Sequence, residues 1–462
     1  MHTTKYTDSS RESALRVKLP IFTVQGVVSD NSSSVRVFRG VPYAEPPVGE
    51  LRFRPPVTKK PVSGIVDATK YKDICPIWNQ GGPSIYSEYI TGDQPYPYLD
   101  QGEDCLHLNI WTPMNATYHS NLTVMIWVHG GGNTGGNAAQ PFKEGTFIAQ
   151  NQNVIVISLD YRLNIFGYPG YVPAFGGKNL NPGLLDIRKA VEWTYTYIKS
   201  FGGDPESMIL FGQSAGGANV DYYTYAWPTD PLLKGFISES GVASSFGNFD
   251  LPGNNWTYVA NHFNCTGDQD QQLSCLQEPD NQTIFSNYKD LRRRGQYAKG
   301  GYLTGNNANE GESLITPFSE ANGPNQNLVY IQSDLLFNCA SNSSATGDTI
   351  TVGCGLTKIP FAWLGSYHSS EIPQVWGTAE TWGGNKLGGP NTPEEAAFSR
   401  YIQRAWATFA KDPINGLSSL GWPKYNVNEN TLVQLAYNGS TIPQFVSPMV
   451  ADKNCTLPGH SA

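Results

Sequence analysis

Apolar residues follow two different spacings along this chain. Residues 123–128 and 154–159 are continuous apolar runs, as expected for strands buried on both faces. Elsewhere apolar positions recur at helical spacing. The clearest case has Asn181 as its cap and Pro182 in its first turn, and it ends at Gly202 and Gly203. Because strands that alternate with helices are typical of βαβ units, the pattern predicts an α/β fold with a mostly parallel central sheet flanked by helices.

Two further elements follow from local signals. Asp204 and Pro205 predict a turn into a strand over residues 208–211, which ends at a glycine-rich segment. Farther on, Thr392 and Glu395 have the spacing of a capping box, with a proline between them at the first helical position. This signal predicts a helix whose inward face carries Phe398, Ile402, Ala405 and Phe409.

The domain organisation is simple. Residues 1–18 are polar and lack periodicity, which predicts a disordered N-terminal tail that carries no chemistry. Residues 19–462 contain no internal repeat, and α/β architectures often reach this length as one unit. We therefore expect a single domain over residues 19–462.

Charge and hydropathy exclude two classes of partner. The net charge is −8, and the longest run of Lys or Arg covers only residues 292–294, so no basic surface for nucleic acid is visible. The longest apolar runs reach about six residues, against the roughly 20 that a membrane-spanning helix requires. We expect neither a nucleic-acid partner nor a transmembrane segment.

The cysteines and sequons bear on the compartment. The seven cysteines are scattered rather than arranged as C-x-x-C pairs, which favours disulfides and predicts no metal site. The N-x-[ST] sequons suit a secreted glycoprotein, although several arise by chance in so Asn-rich a chain. Against secretion, residues 1–30 contain no apolar stretch that could act as a signal peptide. The sequons begin at Asn31, Asn115, Asn121, Asn255, Asn264, Asn281, Asn342, Asn438 and Asn454.

Residues 212–216 have the G-x-S-x-G pattern, with Ser214 at its centre. A nucleophilic serine must project from a tight turn between a strand and a helix, where only glycine tolerates the crowding on either side. The pattern alone also describes an ordinary turn. Here an apolar strand precedes it, and small residues follow that allow a helix to pack closely and direct its N-terminal amides at an anion. These neighbours favour Ser214 as a nucleophile.

A serine acyl transferase or hydrolase also needs donors for the oxyanion of its intermediate. The sequence from His129 to Gly132 directly follows the strand over residues 123–128, which is the expected position for such a loop. The main-chain N–H groups of Gly131, Gly132 and Ala215 are the predicted donors. The alternative is a flexible glycine turn.

Chain order narrows the choice of base and acid, since this fold places them after the nucleophile as acid and then histidine. Four of the seven histidines precede Ser214, His262 follows it closely, and His460 lies near the last residue, which leaves His368 as the base. Glu310 follows the short apolar segment 302–304, which would place it at the carboxyl end of a strand. We predict Glu310 as the acid, with Glu312 as its main competitor.

Several motifs together resemble the type-B carboxylesterase/lipase family, which includes the cholinesterases, and especially its fungal extracellular members. They run in family order between about residue 20 and residue 423. They are FRGVPYA at 38–44, PPVG at 46–49, EDCLHLNIW at 103–111, HGGG at 129–132, FGGDP at 201–205, FGQSAGG at 211–217, NEG at 309–311 and the segment 365–377.

The resemblance implies an α/β-hydrolase fold, hydrolysis of small-molecule or lipid-like carboxylic esters, and no cofactor. It assigns Ser214, Glu310 and His368 as the catalytic triad, and Gly131, Gly132 and Ala215 as the oxyanion hole. Around the triad it implies supporting roles for Gln213, which stands where many members have Glu, and for Glu371 as a buried acid. It further implies an Arg52–Glu103 ion pair, the disulfides Cys75–Cys105 and Cys265–Cys275, and pocket-rim positions for Trp78, Tyr86, Tyr89, Tyr96 or Tyr98.

The chain departs from the family pattern at three places after Ser214. It is shorter than its relatives near residues 278, 328 and 345. The leading hypothesis is a serine esterase that acts through an acyl-enzyme. The alternatives are a catalytically impaired or silent binding protein on the same fold, and a transferase or thioesterase that uses the same serine chemistry.

Overall fold

A computed structural model gives the fold. It describes residues 14–77, 94–96, 98–170, 172–176, 178, 180–243, 254–262, 264–277, 301–305, 368–379, 391–424, 426, 428–436 and 440–447. The predicted acid Glu310 and its competitor Glu312 lie outside these residues, as do the three shortened places near 278, 328 and 345.

The strands of the described residues are β1 Arg16–Lys18, β2 Thr23–Gln25, β3 Val27–Ser29, β4 Ser32–Pro42, β5 Ile65–Asp67, β6 His107–Pro113, β7 Leu122–Val128, β8 Ile155–Leu159, β9 Gly203–Gln213, β10 Gly235–Glu239, β11 Gly301–Gly305, β12 Leu432–Gln434 and β13 Gln444–Val446. The α-helices are α1 Thr146–Gln152, α2 Asn164–Gly167, α3 Pro182–Tyr197, α4 Ala215–Ala226, α5 Asn254–His262, α6 Gln269–Gln277, α7 Ile372–Trp376 and α8 Pro393–Lys411.

Eight strands form one central sheet in the order β11-β10-β9-β7-β8-β6-β4-β3. The pairs from β11 to β8 are parallel, whereas β8, β6, β4 and β3 pair antiparallel. The sheet is thus mixed, with its parallel half built from the strands that alternate with helices. Because parallel strands share a carboxyl edge, the loops after β7, β8, β9 and β10 meet there.

Alternate side chains of β7 enter two different cores. Val124, Ile126 and Val128 pack into a cluster that includes the inward face of α3. Met125 and Trp127 point the other way, into a cluster that includes α8. A strand with both faces covered needs apolar residues at every position, which explains the continuous apolar run in the sequence.

The predicted helices form where the caps and periodicity place them. α3 begins at Pro182, although Asn181 makes no side-chain cap hydrogen bond. α8 begins with a complete capping box between Thr392 and Glu395. The four side chains predicted to face inward from α8 are all buried.

Two predicted boundaries need correction. Residues 16–18 belong to β1 rather than to a tail, because β1 pairs antiparallel with β2 and buries Val17. Asp204 and Pro205 do not form a turn before a strand at 208; they lie inside β9, which already begins at Gly203. The register of β7 against β9 shifts beside this proline, so the irregular strand end accommodates a residue without an N–H donor.

The covalent and ionic links implied by the resemblance are present. Cys75 is bonded to Cys105 and Cys265 to Cys275. Arg52 donates from Nε to Glu103 at 2.7 Å, and both side chains are largely buried. No helix within the described ranges is long and apolar enough to span a bilayer.

The capping box of α8 gives a first prediction. Thr392→Ala is expected to lower the free energy of unfolding by about 1 kcal/mol, because the Glu395 N–H loses its side-chain acceptor. Thr392→Ser keeps that oxygen and is expected to cost less than half as much. Urea denaturation of both variants checks this, and equal losses would show that the cap hydrogen bond is not responsible.

Candidate active site

Ser214 occupies a strained turn at the carboxyl edge of the sheet. β9 ends at Gln213, α4 begins at Ala215, and Ser214 between them has φ 58° and ψ −126°. Its N–H donates to the carbonyl of Glu239 at 2.8 Å, and its own carbonyl accepts from the Ala218 N–H at 3.0 Å. The main chain therefore holds the serine in a conformation that only a few per cent of non-glycine residues adopt.

Two glycines allow neighbouring chain segments to approach this turn. A Cβ on Gly130 would lie 2.6 Å from the Gln213 carbonyl oxygen and 2.9 Å from the Ser214 Cβ, and a Cβ on Gly216 would collide with the Val128 carbonyl. Side chains at either position would push the loop after β7 away from Ser214. The glycines of both motifs are thus required by close packing.

The loop after β7 presents main-chain donors beside the serine. Gly131 and Gly132 have φ of 112° and 65°, and both are exposed. Within the described residues, nothing accepts a hydrogen bond from the N–H of either glycine. Ala215 adds the N–H of the first residue of α4. An oxyanion site needs such a set of free donors.

His368 is brought to the same place from a distant part of the chain. Its side chain is buried, and its Nε2 lies 3.1 Å from the Nε2 of Gln213, the residue directly before Ser214. The turn that carries it leads into α7, and α7 packs on α8. The predicted partner Glu310 lies outside the described residues, so its placement stays a prediction.

A pair of buried carboxyl groups lies behind the serine and the histidine. Glu239 pairs with Gln213 across β10 and β9 and accepts from Trp406 Nε1 at 2.7 Å. Burial, and to a lesser extent the nearby Glu371 carboxyl, raises the pKa of Glu239 well above its usual value. Glu371 is itself buried, as the resemblance implies, whereas nothing in the sequence pointed to Glu239.

A second buried pair lies beneath the glycine loop. His129 Nε2 is 3.8 Å from Asp160 Oδ1, and Asp160 accepts from the Ala138 N–H at 2.9 Å. Burial raises the pKa of Asp160 to about 7 and lowers that of His129 to about 3. Both side chains are therefore mostly uncharged between these values, which avoids isolated charges in the interior.

Side chains that the sequence did not single out also hold this loop. Tyr161 donates to the His129 carbonyl at 2.8 Å and lies 3.3 Å from Asn133 Oδ1, so it bridges the two ends of the loop. Asn219 on α4 donates to the same Asn133 oxygen at 2.8 Å. The sequence alone could not have identified Asn219, because nothing in it indicates that α4 and the loop after β7 lie side by side.

Within the described residues, no three His, Cys, Asp or Glu side chains form a group that could hold a metal ion. Of the aromatic residues implied at the rim, Tyr96 stacks between Tyr71 and Tyr98. Trp78, Tyr86 and Tyr89 lie outside the described residues.

The sequence model of the carboxylesterase family matches residues 13–333. The chain belongs to the carboxylesterase family. Membership identifies it as a carboxylic ester hydrolase and agrees with the resemblance drawn from its motifs. The family match includes the serine turn and the glycine loop described above.

Two fungal relatives align with nearly the whole chain, and an animal relative aligns with about half of it. The chlorogenic acid esterase of Aspergillus niger is 31% identical over 486 aligned positions, covering 94% of this chain and 92% of that protein. Secreted lipase 5 of Gibberella zeae is 32% identical, covering 91% and 90%. The acetylcholinesterase of Electrophorus electricus is 38% identical over 46% of this carboxylesterase and 32% of its own length.

Solved structures agree on the architecture. A PNB esterase structure superposes with a TM-score of 0.70 at 24% identity, covering 94% of this chain and 97% of that one. A thermophilic PNB esterase gives a TM-score of 0.63 at the same identity, covering 87% and 91%. The carboxylesterase therefore has the α/β-hydrolase fold, as the sequence predicted.

Proposed function

We propose that this carboxylesterase hydrolyses carboxylic esters through an acyl-enzyme formed on Ser214. The supporting observation is a strained serine turn at the carboxyl edge of the sheet, which faces two exposed and unused N–H groups of a glycine loop. His368 reaches the same edge through its contact with Gln213. This combination supplies a nucleophile, oxyanion donors and a base.

The reaction follows from those groups. His368 takes the proton from Ser214 Oγ as the oxygen bonds to the acyl carbon, and Gly131, Gly132 and Ala215 donate to the developing oxyanion. The imidazolium returns the proton to the departing alcohol, which breaks the ester bond and leaves the acyl-enzyme. Water, deprotonated by the same imidazole, then bonds to the acyl carbon. The bond from that carbon to Ser214 Oγ breaks, the imidazolium returns its proton to Oγ, and the acid leaves. In this scheme Glu310 orients the imidazole, and no metal or organic cofactor takes part.

The Gln213 amide and the Glu371 carboxyl support the base in this scheme. Gln213 contacts the imidazole directly. Glu371 is the last residue of the turn that leads from His368 into α7. Because burial raises the pKa of Glu239 well above its usual value, this carboxyl favours its neutral form and adds no negative charge beside the Gln213 amide.

The compartment that best fits the protein is extracellular. Disulfides such as Cys75–Cys105 persist in oxidising surroundings. One relative is named a secreted lipase. Among the described sequons, four asparagines are exposed, as glycan attachment requires: Asn31, Asn115, Asn121 and Asn264. We infer a secreted glycoprotein.

Covalent labelling tests the mechanism directly. A fluorophosphonate probe is expected to add one phosphonyl group per chain, on the peptide that contains Ser214, and to abolish p-nitrophenyl ester hydrolysis in proportion to labelling. His368→Ala is expected to label at least 100-fold more slowly, because proton removal by a positioned base contributes roughly 10²- to 10⁴-fold. Hydrolysis that persists in fully labelled protein would overturn the proposal.

Substrate panels separate the remaining possibilities. The named relatives direct attention to chlorogenic acid and to lipid esters, so both belong beside a p-nitrophenyl acyl series. Absence of both labelling and hydrolysis would favour a binding protein and would direct attention to the shortened places near 278, 328 and 345. Acyl transfer to an added alcohol at the expense of hydrolysis would indicate a transferase.

A further inference from the structure

A neutral amide contact joins the two segments that carry the oxyanion donors. Asn133 directly follows Gly132 in the loop after β7, and Asn219 lies on α4, four residues after Ala215. The Asn219 side chain donates from Nδ2 to Asn133 Oδ1 at 2.8 Å. Because residues four apart lie on the same helix face, Asn219 stands one turn above Ala215 on the side that meets the loop.

A buried tyrosine fixes Asn219, and a second buried tyrosine lies beside Asn133. Tyr168 donates its hydroxyl hydrogen to Asn219 Oδ1 at 3.1 Å, so the Asn219 amide is engaged at both its nitrogen and its oxygen. Tyr161 lies with its hydroxyl 3.3 Å from Asn133 Oδ1, and its ring stacks on His129 at 4.5 Å between centroids. Asn219 and both tyrosines are buried. The amide contact is therefore held in one geometry.

The backbone of the loop needs such support. Gly131, Gly132 and Asn133 are three successive residues with positive φ, a conformation with no repeating hydrogen bonds of its own. The N–H of Asn164 donates to the Asn133 carbonyl, which ties the end of the loop to α2 but not to α4. Among the described side chains, the contact from Asn219 is the hydrogen bond that joins the loop to α4.

We propose that Asn133 and Asn219 are positioning residues that fix the separation between the two halves of the oxyanion hole, Gly131 and Gly132 on the loop and Ala215 on α4. The proposal rests on the proposed function, since it assumes that these N–H groups bind the oxyanion. Neither side chain needs to contact the substrate.

The choice of amides fits this role. Donors stabilise an oxyanion when they lie about 2.7–3.1 Å from it, and a displacement of about 1 Å can cost on the order of 100-fold in rate. A carboxylate at either position would accept a hydrogen bond but would place a negative charge beside the developing oxyanion. Two neutral amides hold the segments together without opposing that charge.

A double-mutant cycle tests the contact. Asn219→Ala and Asn133→Ala are each expected to lower kcat for a p-nitrophenyl ester about 10- to 100-fold, with KM changed less than threefold. The double variant is expected to lose no more than threefold beyond the worse single variant, because either change already breaks the same hydrogen bond. Independent losses that multiply in the double variant would overturn the proposal.

A transition-state analogue separates positioning from general destabilisation. A trifluoromethyl ketone forms an oxyanion adduct with the active serine, so its inhibition constant is expected to rise in Asn219→Ala by the same factor by which kcat/KM falls. Tyr222→Phe is the matched control, because it removes a buried hydroxyl on the same helix that donates to the Ala243 carbonyl and not to the loop. This control is expected to lower the melting temperature without changing inhibition.

The outcomes distinguish this proposal from the proposed function. If the parent protein is not labelled at Ser214, the proposed function fails before the asparagines are considered. If the parent is labelled and Asn219→Ala retains both its kcat and its inhibition constant, only the positioning role fails. Asn133 is half-buried, so Asn133→Ala keeps the test open should Asn219→Ala not fold.

Discussion

Replacing Ser214 with alanine is expected to lower kcat for p-nitrophenyl ester hydrolysis by roughly 10⁴- to 10⁶-fold. The variant loses the atom that bonds to the acyl carbon, while the donors on Gly131, Gly132 and Ala215 still bind the carbonyl. KM should therefore change little, and a small residual rate above that of water should remain. Steady-state kinetics with acyl chains of several lengths would measure both parameters.

The same substitution should leave the fold intact. Within the described residues, no hydrogen bond to the Ser214 side chain is formed, and the φ of 58° strains serine and alanine alike because both carry a Cβ. The free energy of unfolding is expected to change by less than about 0.5 kcal/mol, as for substitutions that break no contact. Loss of activity can then be assigned to chemistry rather than to unfolding.

Ser207 provides the matched control on the same strand. Its buried hydroxyl pairs with that of Thr123 at 3.0 Å, far from the turn. Ser207→Ala is expected to cost about 1 kcal/mol of stability and to keep kcat within twofold. Ser214→Ala with parental activity, or Ser207→Ala with a comparable loss of kcat, would contradict the assignment of the nucleophile.

The sequence was sufficient for the parts of the site that depend on local chemistry. A strand that runs into G-x-S-x-G and then into small residues can form only a tight turn, and the structure places Ser214 there, between β9 and α4. The capping box of α8 is similarly local, since Thr392 and Glu395 satisfy each other's backbone donors. Such signals lie within a few residues of one another.

The supporting contacts could not be predicted because they join distant segments. Asn133 and Asn219 are 86 residues apart, and Glu239 meets the site only through the register of β10 against β9.

The domain was predicted to begin at residue 19, which lies after β1, for a related reason. Arg16–Lys18 is a three-residue strand, too short to show periodicity, and only its pairing with β2 makes it regular.

The pair of His129 and Asp160 beneath the glycine loop leads to a prediction about acid stability. Asp160→Asn is expected to make the free energy of unfolding fall by several kcal/mol as the pH is lowered from about 6.5 to about 4, whereas His129→Gln should produce the opposite slope. In the parent protein, this pair should make the free energy of unfolding depend little on pH, because the contributions of the two side chains oppose each other.

The signs follow from the two pKa shifts. The pKa of Asp160 is raised to about 7 in the native state, and that of an unfolded aspartate is about 3.9, so between these values the native state binds the extra proton and stability falls as pH rises. The pKa of His129 is lowered to about 3 from an unfolded value of about 6.5, so there the unfolded state binds the extra proton and stability rises with pH. Across about pH 4 to 6.5 the slopes cancel, because one proton rests on Asp160 in the folded pair and on His129 in the unfolded pair.

Each substitution removes one of the two opposing contributions to the pH dependence of stability. Asparagine resembles a protonated aspartate and can still accept from the Ala138 N–H, so Asp160→Asn leaves the slope of His129 uncompensated, at about 1.4 kcal/mol per pH unit. Urea denaturation at pH 4, 5, 6 and 7 would measure it. The slope, rather than the stability at one pH, is the decisive quantity, since His129→Gln also loses the ring stacked on Tyr161. An Asp160→Asn profile parallel to that of the parent would mean that Asp160 is already ionised in the native protein. If both profiles were also flat, His129 would be protonated as well, and the loop that carries Gly131 and Gly132 would rest on an ion pair rather than on two neutral side chains.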